Sequence, residues 1–271
     1  TRSFRIPGFG GYRFEPSSPN RINGDNMPVA ATRAFVLGSS PFNEQDRLVH
    51  LLTANQGIMK AIAPGSMKAR NRFGSLFELF TEGDFQYYWK ENRDLITISK
   101  GEIIQSYFNT VSQPGNIFYF YLAADVLTRF VPYSHKDKRL YRLVHAILEN
   151  RANGIDMTLL VLYFLVWVLR IEGMMFNPGL CYNCYANGFQ TAWFKDDFQG
   201  ILCPRCRSDE KLELSFNELK FIKWTEKNPP KDLEKWQNKT DTAKMIRALT
   251  KKIEFHAETS LKSAQYLKEF H

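Results

Sequence analysis

Cysteine is what this 271-residue chain has least of: four residues, all between positions 181 and 206. A secreted framework held by disulfides spreads its cysteines through the chain, so that class is set aside. Long hydrophobic runs are also missing. The longest, MTLLVLYFLVWVL from Met157 to Leu169, falls short of the roughly 20 residues a bilayer requires and reads as a buried core helix. Residues 1 to 26 contain no apolar stretch that could act as a secretory signal. They are expected to be an N-terminal extension, flexible or vector-derived, on a cytoplasmic chain with no membrane contact.

Catalytic signatures are absent as well. The chain has no Gly-x-Ser-x-Gly, no phosphate-binding loop and no paired carboxylates, and His50, His135, His145, His256 and His271 are scattered. Nothing in that inventory asks for enzymatic turnover. No low-complexity tract or internal repeat interrupts a globular composition.

What is present begins with charge. The formal net charge of +8 suits an anionic partner, and its distribution is more telling than its sum. Between Arg47 and Phe77 stand Arg47, Lys60, Lys68, Arg70 and Arg72 without one Asp or Glu. A second basic region runs from Phe216 onward.

Five strand-like segments fill residues 32 to 107: 32–38, 47–53, 57–64, 75–89 and 95–107. Meandering strands with no long helix between them suggest a small closed or partly open barrel, with an SH3-like barrel as rival. Past Pro114 the apolar period changes to nearly four. Helices are expected over 116–130, 138–150 and from Asp156, a plausible N-cap, to about Met175, before Asn177, Pro178 and Gly179. Ser215 and Glu218 form a capping-box pattern for a further helix. Pro229 and Pro230 break it, and an amphipathic stretch from Ile246 to Leu267 follows. The class is therefore α+β, with a barrel over 27–110, a helical part over 111–271 and a cysteine element at about 178–210.

Two Cys-x-x-Cys pairs, Cys181 with Cys184 and Cys203 with Cys206, are separated by a hairpin-length spacer. That spacing points to tetrahedral zinc, each pair forming a knuckle whose sulfurs face one side. Disulfides and a vestigial site are the competing readings. Four thiolates would saturate the ion, so such a zinc is structural and not hydrolytic.

The segment APGSMKARNRFG places Lys68, Arg70 and Arg72 at alternate positions after a strand carrying Lys60. Such cations can follow successive phosphates; equally, they can be a solvated loop. Arg93 and Lys100 would extend the surface, although five acids lie among residues 78 to 94.

With these parts in order, the stretch AFVLGSSPFNEQDRLVHLLTANQGIMKAIAPGSMKARNRFGSLFELF (34–80) resembles the opening of the bacterial recombination mediator family RecO. The features carrying the likeness are Glu44 to Thr53, the strand led by Gly57, and the basic loop, followed by a helical half interrupted by two Cys-x-x-Cys pairs. The resemblance implies an N-terminal five-stranded OB-fold barrel and a zinc element on the helical domain. It implies binding of single- and double-stranded DNA, annealing of complementary strands, and loading of RecA together with RecR. It further implies a site for the C-terminal tail of the single-stranded DNA-binding protein, and a nucleoid-associated location. Lys60, Lys68, Arg70 and Arg72 become the first choices for DNA contact, with Arg47, Arg93 and Lys100 behind them. Ala63, Pro64 and Gly65 depart from the family, whose members often carry an arginine and glycines there. A zinc-ribbon scaffold or transcription-type adaptor is the alternative function.

Overall fold

The computed structural model describes residues 29–89, 95–133, 135–207, 209 and 212–268. Arg93 and the N-terminal extension lie outside the described residues. The chain divides between Arg142 and Leu143 into two compact units.

In the first unit, strands β1 (Val29–Pro41), β2 (Arg47–Thr53), β3 (Gly57–Ala63), β4 (Glu82–Tyr88) and β5 (Leu95–Gln105) form a closed barrel ordered β1-β2-β3-β5-β4. β1 closes it by pairing antiparallel with both β2 and β4. This is the OB-fold that the resemblance implies. It is not the simple meander that strand order alone suggests, because β3 pairs with β5 in parallel, Ile62 opposite Thr97. Alternation decides the barrel interior: Ala34, Val36, Val49, Leu51, Ala61, Ala63, Phe85, Ile96 and Ile98 point inward and are buried.

One expected strand is corrected. Residues 75–81 are turns, and only from Glu82 does the chain become extended. Phe73, Leu76 and Phe77 recur at spacings of three and one, and all enter the barrel core. They act as its plug. Leu76 lies over Gly83 and Gly101, where neighbouring strands leave room by lacking side chains; a Cβ on Gly83 would come within 2.8 Å of Leu76 Cδ1. Truncating a buried leucine of this kind costs about 2–5 kcal/mol.

After the barrel come α1 (Phe108–Val111), α2 (Ile117–Phe130) and α3 (Lys138–Ala152), the last containing the division between the units. In the second unit α4 (Met157–Ile171) is buried nearly all round, as its uninterrupted apolar run dictates. The Asp156 carboxylate caps it by accepting Leu159 N–H at 3.0 Å. It ends at Ile171, earlier than expected, because Gly173 turns left-handed (φ +73°) and Met174 N–H returns to the Leu169 carbonyl at 2.7 Å.

A three-stranded sheet follows, with β6 (Ala192–Phe194) between β7 (Ile201–Leu202) and β8 (Glu213–Leu214). Helix α5 (Phe216–Trp224) opens on the anticipated capping box of Ser215 and Glu218. Trp167 of α4 donates from Nε1 to the Thr225 carbonyl at 3.2 Å, and Arg170 Nη1 to Thr225 Oγ1 at 2.7 Å. A 3-10 turn over Pro230–Lys235 leads to α6 (Thr242–Ala257), which packs on α4. The amphipathic stretch to Leu267 is not one helix: Glu258 stands at φ +50° and a 3-10 segment (Lys262–Lys268) completes it. No helix among the described residues is long and apolar enough to cross a membrane.

Candidate nucleic-acid interface and metal centre

The basic rim starts from a turn. Asn43 Oδ1 accepts the amides of Gln45 and Asp46 at 2.9 and 2.8 Å, and Phe42 N–H closes the turn on the Asp46 carbonyl at 2.9 Å. This Asx-type turn between β1 and β2 places Asp46 against the loop that leaves β3. The Asp46 carboxylate accepts Gly65 N–H at 2.7 Å, Ser66 Oγ accepts Arg47 N–H at 3.0 Å, and Met67 N–H bonds to the Gln45 carbonyl at 2.9 Å. Two loops thereby become one piece. The Gly65 amide and Asn43 hold the Asp46 carboxyl below its ordinary range, helped by the charge of Lys68.

Within that piece Lys68, Arg70 and Arg72 are exposed and make no ion pair among the described residues. Asn71 shapes their loop, accepting Phe73 and Gly74 amides at 3.0 Å through Oδ1. The Arg72 guanidinium lies 4.7 Å from the centre of the Phe73 ring. Arg47 joins the same rim through its backbone, its side chain reaching Ser39 Oγ at 3.4 Å.

Two further candidates stand elsewhere. Lys60 is in the middle of β3 on the barrel's outer face, its Nζ 4.3 Å above the Tyr133 ring. Tyr133 also meets His50 Nδ1 at 3.1 Å, and burial, then Lys60, pushes the imidazole below its ordinary range. Lys100 is paired with Glu102 at 2.5 Å, which spends part of its charge. Arg93 is outside the described residues. Sequence reasoning missed Asp46, because the acid-free stretch was counted from Arg47. It also missed Phe42, half exposed at 49%, and the exposed Met67 on the same rim. The sequence clue was an aromatic residue inside a short polar turn.

The metal centre is assembled from both knuckles. Cys181 N–H bonds to the Ala186 carbonyl at 2.9 Å and Cys206 N–H to the Cys203 carbonyl at 3.0 Å, while β6 and β7 bring the two turns together. All four Sγ atoms lie within 4.8 Å of one another, and Cys184 and Cys203 approach to 3.7 Å. Sulfurs on a tetrahedral ion with bonds of about 2.3 Å stand about 3.8 Å apart, so the set fits such an ion. All four cysteines are free thiols, which removes the disulfide reading. Burial raises the Cys181 thiol, but the backbone amides of Cys184, Cys203 and Asn183 more than reverse it, bringing it to about 6. The hairpin is buttressed by aromatic rings running from Phe176 to Phe194 (5.1 Å), Phe198 (5.7 Å) and Phe255 (5.7 Å).

Fold and sites together define a class: an OB-barrel protein with a basic rim, joined to a helical part that carries a four-cysteine cluster. Comparison with known proteins narrows this. Residues 27–107 match the family model described as recombination protein O N terminal, and residues 112–265 match recombination protein O C terminal. The chain belongs to the RecO family, and its role lies in DNA repair and recombination. It is 24% identical over 201 residues to DNA repair protein RecO of Dehalococcoides mccartyi, covering 73% of this chain and 78% of that one. Against the protein of the same name from Listeria monocytogenes it is 26% identical over 191 residues, 68% of this chain and 71% of the relative. For Mesoplasma florum the figures are 23% over 207 residues, 74% and 76%.

Proposed function

We propose that the chain is a DNA-binding recombination mediator without enzymatic turnover, which binds single- and double-stranded DNA, anneals complementary strands and helps load RecA together with RecR. The observation that carries this reading is the rim: Lys68, Arg70 and Arg72, exposed and without ion pairs among the described residues, on a loop pinned to an OB barrel. Neutralising phosphates on two strands at once removes the repulsion that opposes pairing, so annealing proceeds with no bond broken. Arg47 supports the rim directly. Lys60 and Lys100 contribute at most from outside it.

The division of labour falls near residue 110, with the barrel for DNA and residues 111–271 for protein partners, among them the tail of the single-stranded DNA-binding protein. The location is cytoplasmic, on the nucleoid. Cys181, Cys184, Cys203 and Cys206 hold one structural zinc, whose chemistry is to crosslink the hairpin.

Salt titration of single-strand binding and annealing tests the reading, using the parent and a variant with Lys68, Arg70 and Arg72 all changed to Glu. The variant is expected to lose affinity by at least tenfold, with a shallower dependence on salt. Unchanged affinity sinks the assignment of the loop, and an absence of annealing at every salt concentration favours a scaffold.

A further inference from the structure

The rim is chemically two-sided. Its β3 side carries Lys68, Arg70 and Arg72; its β1–β2 side carries Phe42, Glu44 and Asp46, locked to the first by the Gly65–Asp46 and Met67–Gln45 bonds. A folded strand of nucleic acid has the same polarity when unpaired, with phosphates along one edge and bases along the other. A duplex does not, since its bases are enclosed and its phosphates lie on both outer edges. Two carboxylates beside Phe42 repel phosphate and leave uncharged base faces as the compatible neighbour.

Among the other aromatic groups of this unit, few are free for such a role. Phe73 and Phe77 are spent in the barrel core, and Tyr133 lies beneath Lys60. Trp89, Phe108 and Tyr121 are exposed as well, but none of them belongs to the two segments that the Gly65–Asp46 and Met67–Gln45 bonds tie together. Phe42 does belong to them, half exposed, its backbone fixed by the Asp46 carbonyl and its ring meeting no other aromatic or cation among the described residues. An exposed ring on a fixed backbone turn, tied to a loop of cations, is the arrangement on which successive unpaired bases stack.

We infer that Phe42 is a base-stacking platform that makes this rim prefer single-stranded over duplex nucleic acid, with Glu44 excluding phosphate from the same side. The inference rests on the DNA-binding reading given above and adds strand selectivity to it.

The test uses the full chain, oligothymidylate as single strand and a blunt duplex of equal length. Phe42→Ala is expected to weaken single-strand binding about tenfold, leave duplex binding within twofold and keep the salt slope of the parent. Phe42→Trp restores single-strand affinity, and its new fluorescence, referenced to the parent protein, is quenched by oligothymidylate but not by duplex. Glu44→Lys raises duplex affinity and narrows the preference. If the triple Glu variant loses binding while Phe42→Ala does not, or Phe42→Trp gives no strand-specific quenching, the stacking inference is wrong and the basic loop stands. If neither the charge nor the ring variants alter binding, the rim is not the binding surface and both assignments to it fail; if the parent binds neither oligonucleotide at any salt concentration, the DNA-binding reading itself fails. Thermal unfolding of each variant, matched to the parent, certifies that the comparison concerns folded protein.

Discussion

The carboxylate of Asp46 holds the amide of Gly65 at 2.7 Å, across the gap between the first hairpin turn and the basic loop. One acid thus fixes the geometry of a cationic surface whose charge it partly opposes. Because its folded pKa is lowered, the stability it adds is fully present above the unfolded value of about 3.9 and is lost as pH falls through the lower folded value. The Gly65 amide resonance should follow that titration, with a midpoint below 3.8. In Asp46→Ala the same amide should exchange faster with solvent. A midpoint at or above the ordinary carboxylate value would remove the lock from this account.

The metal hairpin should fail before the barrel does. Its knuckles are short turns, and the aromatic run from Phe176 through Phe194 and Phe198 to Phe255 depends on the hairpin being folded. Purified protein is expected to contain about one zinc per chain. Chelation or Cys184→Ser should lower the melting temperature and open the 195–200 turn to trypsin at Lys195, while oligonucleotide binding persists. A zinc content far below one with all thiols reduced would overturn the assignment.

Lys252 of α6 offers a prediction at alkaline pH. It is buried, donates from Nζ to the Phe198 carbonyl and lies 3.1 Å from His256 Nε2. Burial pushes its pKa down to about 8, with Asp197 opposing the shift. His256 is lowered too, first by burial and then by the Lys252 charge. Between about 8 and the unfolded value of about 10.4 the native state binds fewer protons than the unfolded one, so this group makes stability rise with pH. Relative to Lys252→Met, the parent should gain up to about 3 kcal/mol across that window. The variant should also bring the His256 titration back toward its ordinary value. Denaturant unfolding at pH 7 and pH 10.5 measures the first effect, and a constant difference between the two proteins would contradict it.

Much of the architecture was legible locally. Asp156 before an unbroken apolar run announces α4, Ser215 with Glu218 announces α5, and the paired cysteines specify their own cluster. Segment 75–81 was not legible, because SerLeuPheGluLeuPhe suits a strand face and a plug equally well. Nor does Glu258 carry any glycine-like signal for the left-handed turn that ends α6. At the candidate site, the cations of the loop could be read from alternation. Their relation to Asp46 could not, and the capture of Lys60 by Tyr133 is a contact between residues far apart in sequence.

The parallel pairing of β3 with β5 also sets an order of events. The rim's ties, from Arg47 to Ser66 and from Asp46 to Gly65, each span 19 residues of sequence. Barrel closure must wait until Ile62 meets Thr97 and Leu76 settles over Gly101. Short loops close faster than long ones. The ties that join the two loops of the surface assigned to DNA are therefore encoded by a single early hairpin and its following loop, whereas the far end of that loop is held only once Phe73 enters the barrel core.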